Sequence, residues 1–80
     1  MQMEELRRKY AEKSAEMRAK YADVINEISC VHGVDTGIAF EMLKAVARGG
    51  NYADNIPFDK EELQKDYFEL LHISEMIAIG

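Results

Sequence analysis

The chain has 80 residues, with 15 acidic and 10 basic side chains and a formal net charge of −5 at pH 7. A chain this short has room for one small domain, and its 48% hydrophobic content is typical of a folded protein. The single cysteine excludes an internal disulfide framework, and the acidic balance argues against a general nucleic-acid binder.

No stretch approaches the run of about eighteen apolar residues that a membrane span requires. The charged start, with Arg7, Arg8 and Lys9, leads into no signal-peptide core. We therefore expect a soluble, cytoplasmic protein that has no association with membranes.

Residues 3–31 predict one long helix, because they contain no glycine or proline and are rich in strong helix formers. Their apolar side chains recur at alternating steps of three and four, as in the seam of a coiled coil. Such a helix runs about 40 Å, which is longer than a small globule can cover. We therefore predict a homo-oligomer, most simply a homodimer. Its predicted interface comprises Met17, Tyr21, Val24 and Ile28.

A second helix is predicted over residues 36–48. Gly33 is expected to end the first helix as a left-handed cap, and Asp35 is expected to cap the start of the second. The glycine pair at 49–50 stops it. The segment is apolar apart from three charged side chains at helical spacing, so we expect it to be buried on nearly every side. These three are Glu41, Lys44 and Arg48.

A third helix is predicted over residues 60–78. Asp59 and Glu62 have the spacing of a capping box, and Phe58 with Leu63 has the spacing of the matching hydrophobic staple. The fold class is therefore all-α: a three-helix chain with a long, partly coiled-coil-like first helix, assembled as an oligomeric helical bundle within a single domain spanning 1–80.

The charge is distributed unevenly along the chain. Residues 1–20 carry four acids and six bases, whereas residues 51–80 carry seven acids and two bases. The two segments can attract each other within one molecule or between two antiparallel copies. The acids at the start of the third helix are explained by capping and by the helix dipole, but those further along are not. We predict that these form a surface for a basic protein partner, the alternative being that they only keep the helix soluble. That surface comprises Asp66, Tyr67, Glu69 and Glu75.

Residues 28–43 also have the spacing of a helix-turn-helix motif, with Ser29 four residues before the turn glycine, Gly33. The face that a recognition helix would present lacks the Arg, Asn and Gln side chains that read base edges. A transcriptional regulator is therefore the alternative function. The residues of that face are Thr36, Gly37, Phe40, Glu41 and Lys44.

A further resemblance is carried by Gly33-Val34, Ala39 and Met42-Leu43, followed by Gly49-Gly50-Asn51. Their spacing resembles that of a ubiquitin-associated domain over about a third of the chain, and implies a similar small helical fold. The loop glycines stand about two residues later than in that family, and Pro57 falls where its third helix would continue.

Candidate metal and catalytic groups are few. Glu69 and His72 stand one helical turn apart, as in carboxylate-bridged di-metal bundles. A dimer would have to supply the second such pair and two more acids, for which Glu27 or Glu62 are the candidates. Cys30 and His32 are two residues apart and would point to different sides of a helix, where we expect Cys30 to be a small buried residue. We predict no bound metal, no cofactor and no enzymatic activity.

The predicted function is that of a non-enzymatic interaction protein, either an inhibitor or a regulator, that works as a helical homo-oligomer. Its small size and net acidity resemble those of small inhibitors made by phages, some of which present an acidic face like that of a nucleic acid. The expected partners are a second copy of the chain and another protein.

Overall fold

The computed structural model describes residues 2–79. Over this range the protein consists of four helices: α1 (Gln2–Lys20), α2 (Ala22–His32), α3 (Thr36–Ala47) and α4 (Lys60–Ile79). No strand occurs between residues 2 and 79, so the predicted all-α class is confirmed. None of these four helices is long and apolar enough to cross a lipid bilayer.

The long first helix expected from the sequence is divided at Tyr21. The backbone there leaves helical values, with φ −107° and ψ 23°. Hydrogen bonds continue on both sides, because the Tyr21 amide donates to the Met17 carbonyl and the Ile25 amide donates to the Tyr21 carbonyl, both at 2.9 Å. The three-helix count is therefore corrected to four. The division lets α1 pack mainly on α4 while α2 packs mainly on α3.

Helices α1 and α4 run antiparallel. Lys13 on α1 contacts Asp66 and Glu69 on α4, whereas Lys20, two turns further along α1, contacts Glu62 and Asp66. The predicted attraction between the basic and acidic segments therefore operates within one molecule. The molecule is 43 Å long, with a cross-section of 22 × 18 Å.

The core lies where the four helices meet. Each fully buried aliphatic or aromatic side chain there stabilises the fold by about 1.5–3 kcal/mol. The largest fully buried side chains are Met17, Ile28, Phe40, Leu43 and Leu63. The apolar side chains of α3 are buried or half-buried, as predicted, except Ile38, which is half exposed.

Three of the predicted signals at helix ends are confirmed, those of Gly33, Asp35 and Asp59. Gly33 adopts the left-handed conformation with φ 65°, and its amide donates to the Ser29 carbonyl. At the start of α3, the Ile38 amide donates to Asp35 Oδ1 at 2.8 Å. At the start of α4, the Glu62 amide donates to Asp59 Oδ1 at 3.1 Å.

Candidate functional site

The residues predicted as an oligomer interface lie in the core of the single chain. Met17, Tyr21, Val24 and Ile28 are each at most 8% exposed, and all belong to one buried cluster with residues of α3 and α4. Helices α3 and α4 of the same chain thus cover the apolar row of side chains that we had expected a second copy to cover. Any contact between copies must therefore use other side chains.

Asp66 is the centre of a buried ionic cluster between α1 and α4. Its Oδ1 accepts a hydrogen bond from Lys13 Nζ at 2.9 Å, and its Oδ2 accepts from Lys20 Nζ at 2.9 Å and from the Tyr21 hydroxyl at 2.6 Å. Asp66 is only 6% exposed. The expectation that this carboxylate faces a partner is therefore corrected: it holds the two helices together.

The charges of this cluster are firmly fixed. Burial alone would raise the pKa of Asp66, but the hydrogen bonds from Tyr21, Lys20 and Lys13 outweigh it and lower that pKa to about 2. Burial and the hydrogen bond to Asp66 raise the pKa of the Tyr21 hydroxyl. Burial opposes the charge on Lys13, but its bonds to Asp66 and Glu69 prevail and raise its pKa. The carboxylate therefore stays ionised and the lysine protonated at neutral pH, as a structural clamp requires.

The other three residues of the predicted acidic surface differ in exposure. Tyr67 is buried, and its hydroxyl accepts a hydrogen bond from Arg48 Nη1 at 2.8 Å. Glu69 is open, with 66% of its side chain exposed, and lies 3.3 Å from Lys13. Glu75 is also exposed. Only the two glutamates therefore remain available to a partner.

The candidate metal and nucleophile residues do not assemble into a site. Cys30 is exposed, so its predicted burial is wrong. His32 Nε2 lies 3.0 Å from the Tyr52 carbonyl oxygen, and His72 is exposed on α4. Between residues 2 and 79 no three His, Cys, Asp or Glu side chains lie close enough together to hold a metal ion.

The face predicted to read DNA is turned partly into the core. Phe40 is buried, and only 13% of the Lys44 side chain is exposed. Lys44 is paired with Glu41 at 2.8 Å. The helix-turn-helix alternative therefore loses two of the side chains that it would present to a groove.

A cationic groove lies between α1 and α3. It encloses about 450 Å³, and a smaller cavity of about 140 Å³ continues it towards α4. Three basic side chains border it, each close to an aromatic ring. Arg18 and Lys44 both lie 4.8 Å from the centre of the Phe40 ring, and Arg48 lies 5.6 Å from that of Tyr67. The sequence interpretation missed this groove, although Lys44 and Arg48 stood out as charges on an apolar helix.

A second surface is the outer face of α4, which we define by four large apolar side chains on the side away from the core. They are between 36% and 88% exposed. These residues are Phe68, Leu71, Met76 and Ile79. His72 and Glu75 lie among them, since all six fall within less than half of the helix circumference at 100° per residue.

No protein-family model, curated protein or solved structure matches the chain. We therefore argue function from the chemistry of these two surfaces.

Proposed function

We propose that this is a non-enzymatic interaction protein that works as a helical homo-oligomer, most simply a homodimer, with a second copy on the outer face of α4. The observation that supports this proposal is the row of four exposed apolar side chains opposite the buried side of the same helix. A helix that is apolar on both sides is typical of one that is covered on both sides.

Burial of these apolar side chains can make a substantial contribution to the free energy of dimerisation. Each side chain of this kind stabilises an interface by about 1.5–3 kcal/mol when fully buried. In a symmetric dimer every contact occurs twice, so the four residues count twice. Against this stands a cost of about 4–15 kcal/mol for the lost freedom of two separate molecules. Three of the four side chains are already partly covered in the single chain, so the gain is smaller than this sum. We expect it to offset the cost at a protein concentration of about 100 µM.

The pattern of apolar and polar positions favours a second copy as the occupant of this face. If α4 of the second copy runs antiparallel, the register that places Phe68 against the second copy's Ile79 also places His72 against the second copy's Glu75. Apolar and polar positions are thus satisfied together. The dimer would act by binding and inhibiting a macromolecular partner, in the manner of a small regulatory protein of the cytoplasm.

The test is to measure the molecular mass in solution by light scattering at about 100 µM, where an interface of this size should be occupied. We expect about twice the 9.1 kDa of one chain for the natural sequence. The double variant Phe68→Glu with Met76→Glu should be monomeric, since it places charges in the contact. Val31→Glu, which alters an exposed apolar residue on α2, should remain dimeric.

The register has its own test. His72→Glu should weaken the dimer, because it faces the second copy's Glu75 with a like charge. Adding Glu75→Lys should restore it. A natural chain that is monomeric at this concentration contradicts the proposal. If the double variant Phe68→Glu with Met76→Glu still forms a dimer, the outer face of α4 is not the interface. If adding Glu75→Lys to His72→Glu does not restore the dimer, the proposed antiparallel register is wrong, but the interface itself is not contradicted.

A further inference from the structure

We propose that the cationic groove between α1 and α3 binds an acidic amphipathic helix of a partner protein. The proposal goes beyond self-association and concerns a second surface, which meets the outer face of α4 only at Leu71. It also reverses the sign of the partner that the sequence predicted, because the basic side chains lie at the groove while the most prominent acid, Asp66, is buried.

Two arginines at the groove carry charges that no carboxylate in the described part of the chain neutralises. Within residues 2–79, neither Arg18 nor Arg48 forms an ion pair with a carboxylate, although the chain carries 15 acids. By contrast, Lys13 and Lys20 both contact Asp66. The two guanidinium groups therefore remain available to carboxylates from outside, which they can bind through two parallel hydrogen bonds.

The two guanidinium groups are held in place by aromatic rings before a ligand binds. Arg18 stacks 4.8 Å from the centre of the Phe40 ring. Arg48 lies 5.6 Å from the centre of the Tyr67 ring and donates to its hydroxyl at 2.8 Å. Both rings are buried and therefore fixed. Stacking on a fixed ring restricts a guanidinium group before the ligand arrives, which lowers the entropy cost of binding.

The shape and polarity of the groove also suit an amphipathic helix. The middle of its α1 wall is formed by the small side chains of Ala11, Ser14 and Ala15, with Tyr10 and Arg18 on either side, and its continuation reaches the apolar Leu70. Small residues allow the backbone of another helix to approach closely. An apolar floor with basic edges fits a helix that is apolar on one side and acidic on its flanks. Glu41 lies in the groove wall, where an amphipathic helix can place an apolar side chain, whereas a nucleic-acid backbone carries charge along its whole length and would be repelled.

The experiment uses a fluorescein-labelled helical peptide of about 18 residues, with leucine along one side and glutamate elsewhere, and measures binding by fluorescence anisotropy. We expect binding that weakens as salt is added. Arg18→Gln and Arg48→Gln should each weaken it roughly tenfold, because each removes a charge-assisted hydrogen-bonding group. Arg8→Gln is the matched control, since Arg8 is already paired with Glu5 and Glu12 and should leave affinity unchanged.

Other outcomes would overturn the proposal. Equal affinity for a proline-broken peptide of the same charge would mean simple ionic attraction, and equal affinity for duplex DNA would mean a polyanion site. If Arg18→Gln binds the peptide as tightly as the natural chain does, the groove is not the binding site. Because Arg18 is exposed, we expect this variant to fold normally. The Phe68→Glu with Met76→Glu variant should bind the peptide normally. Failure of the dimer proposal and failure of the groove proposal would therefore give different results.

Discussion

Asp66 is the residue on which the contact between α1 and α4 most depends. Its carboxylate accepts hydrogen bonds from Lys13, Lys20 and Tyr21, which lie at least 45 residues away in the chain. Removing one member of a buried ion cluster is costly, because the remaining charges lose their partner without regaining water. The free-energy cost of removing Asp66 is smaller than for a fully buried cluster, because Lys20 is partly exposed and stays solvated by water.

We therefore expect Asp66→Asn to lower the free energy of unfolding by about 2–3 kcal/mol at pH 7, measured by urea denaturation. Glu69→Gln is the matched control, because Glu69 contacts the same Lys13 but is open to water. It should cost less than about 0.5 kcal/mol. Equal losses in the two variants would contradict a special role for Asp66.

The same comparison should depend on pH. The pKa of Asp66 is about 2 in the folded protein against an ordinary 3.8, so an unfolded chain takes up the proton first as the pH falls. The stabilisation is complete above pH 4 and is lost as the pH falls towards 2. The gap in unfolding free energy between the natural chain and Asp66→Asn should narrow by about 2 kcal/mol between pH 5 and pH 2. A constant gap would show that the charge of Asp66 contributes nothing.

At the scale of the helices, Gly33 controls the corner between α2 and α3. Its φ of 65° is a conformation that other residues reach only with strain. A Cβ atom added there would meet nothing within 4 Å, so the strain lies in the backbone alone. Gly33→Ala should therefore lower the free energy of unfolding by about 1 kcal/mol.

Gly33→Asn is the informative partner variant, because asparagine tolerates this conformation better than alanine. It should cost less than Gly33→Ala in the same urea experiment, although its side chain is larger. If the larger residue were the more damaging, crowding rather than backbone strain would control the corner.

These helix ends could be predicted because their signals are local. Asp35 and Asp59 cap amides only three residues away, and Gly33 bonds back to a carbonyl four residues earlier. The break at Tyr21 has no such signal, since no glycine or proline stands there. Its side chain is fixed by Asp66, 45 residues away, and a sequence pattern does not reveal that pairing.

At the scale of the whole molecule, the same limit explains the misplaced interface. The spacing of Met17 and Ile28 correctly marked a buried seam. The spacing of apolar residues along the sequence does not indicate whether the surface that covers them belongs to the same chain or to another copy. The antiparallel pairing of α1 with α4 decided this, and it is a non-local contact. The cationic groove escaped prediction for the same reason, because Arg18 and Phe40 meet only in the folded chain.

Self-association should also be visible in amide hydrogen exchange. We expect the amides of residues 71–79 to exchange more slowly as protein concentration rises, because the second copy covers the outer face of α4. Amides of α3 should show no such dependence, since α3 lies outside the proposed contact. The Phe68→Glu with Met76→Glu variant should lose the effect. Uniform protection along the chain would instead indicate general stabilisation.

The antiparallel contact between α1 and α4 also has a consequence for the order of folding. Helices α2 and α3 are joined by only three residues and pack on each other, so their contact forms with little loss of chain entropy. Closing α1 on α4 must restrain the whole intervening chain and is therefore the slower step. We expect a transition state for folding in which the α2–α3 corner has its native structure and the contact between α1 and α4 is still exposed to solvent. Unfolding would then begin with the release of α1, and substitutions in the Asp66 cluster would act mainly on the unfolding rate.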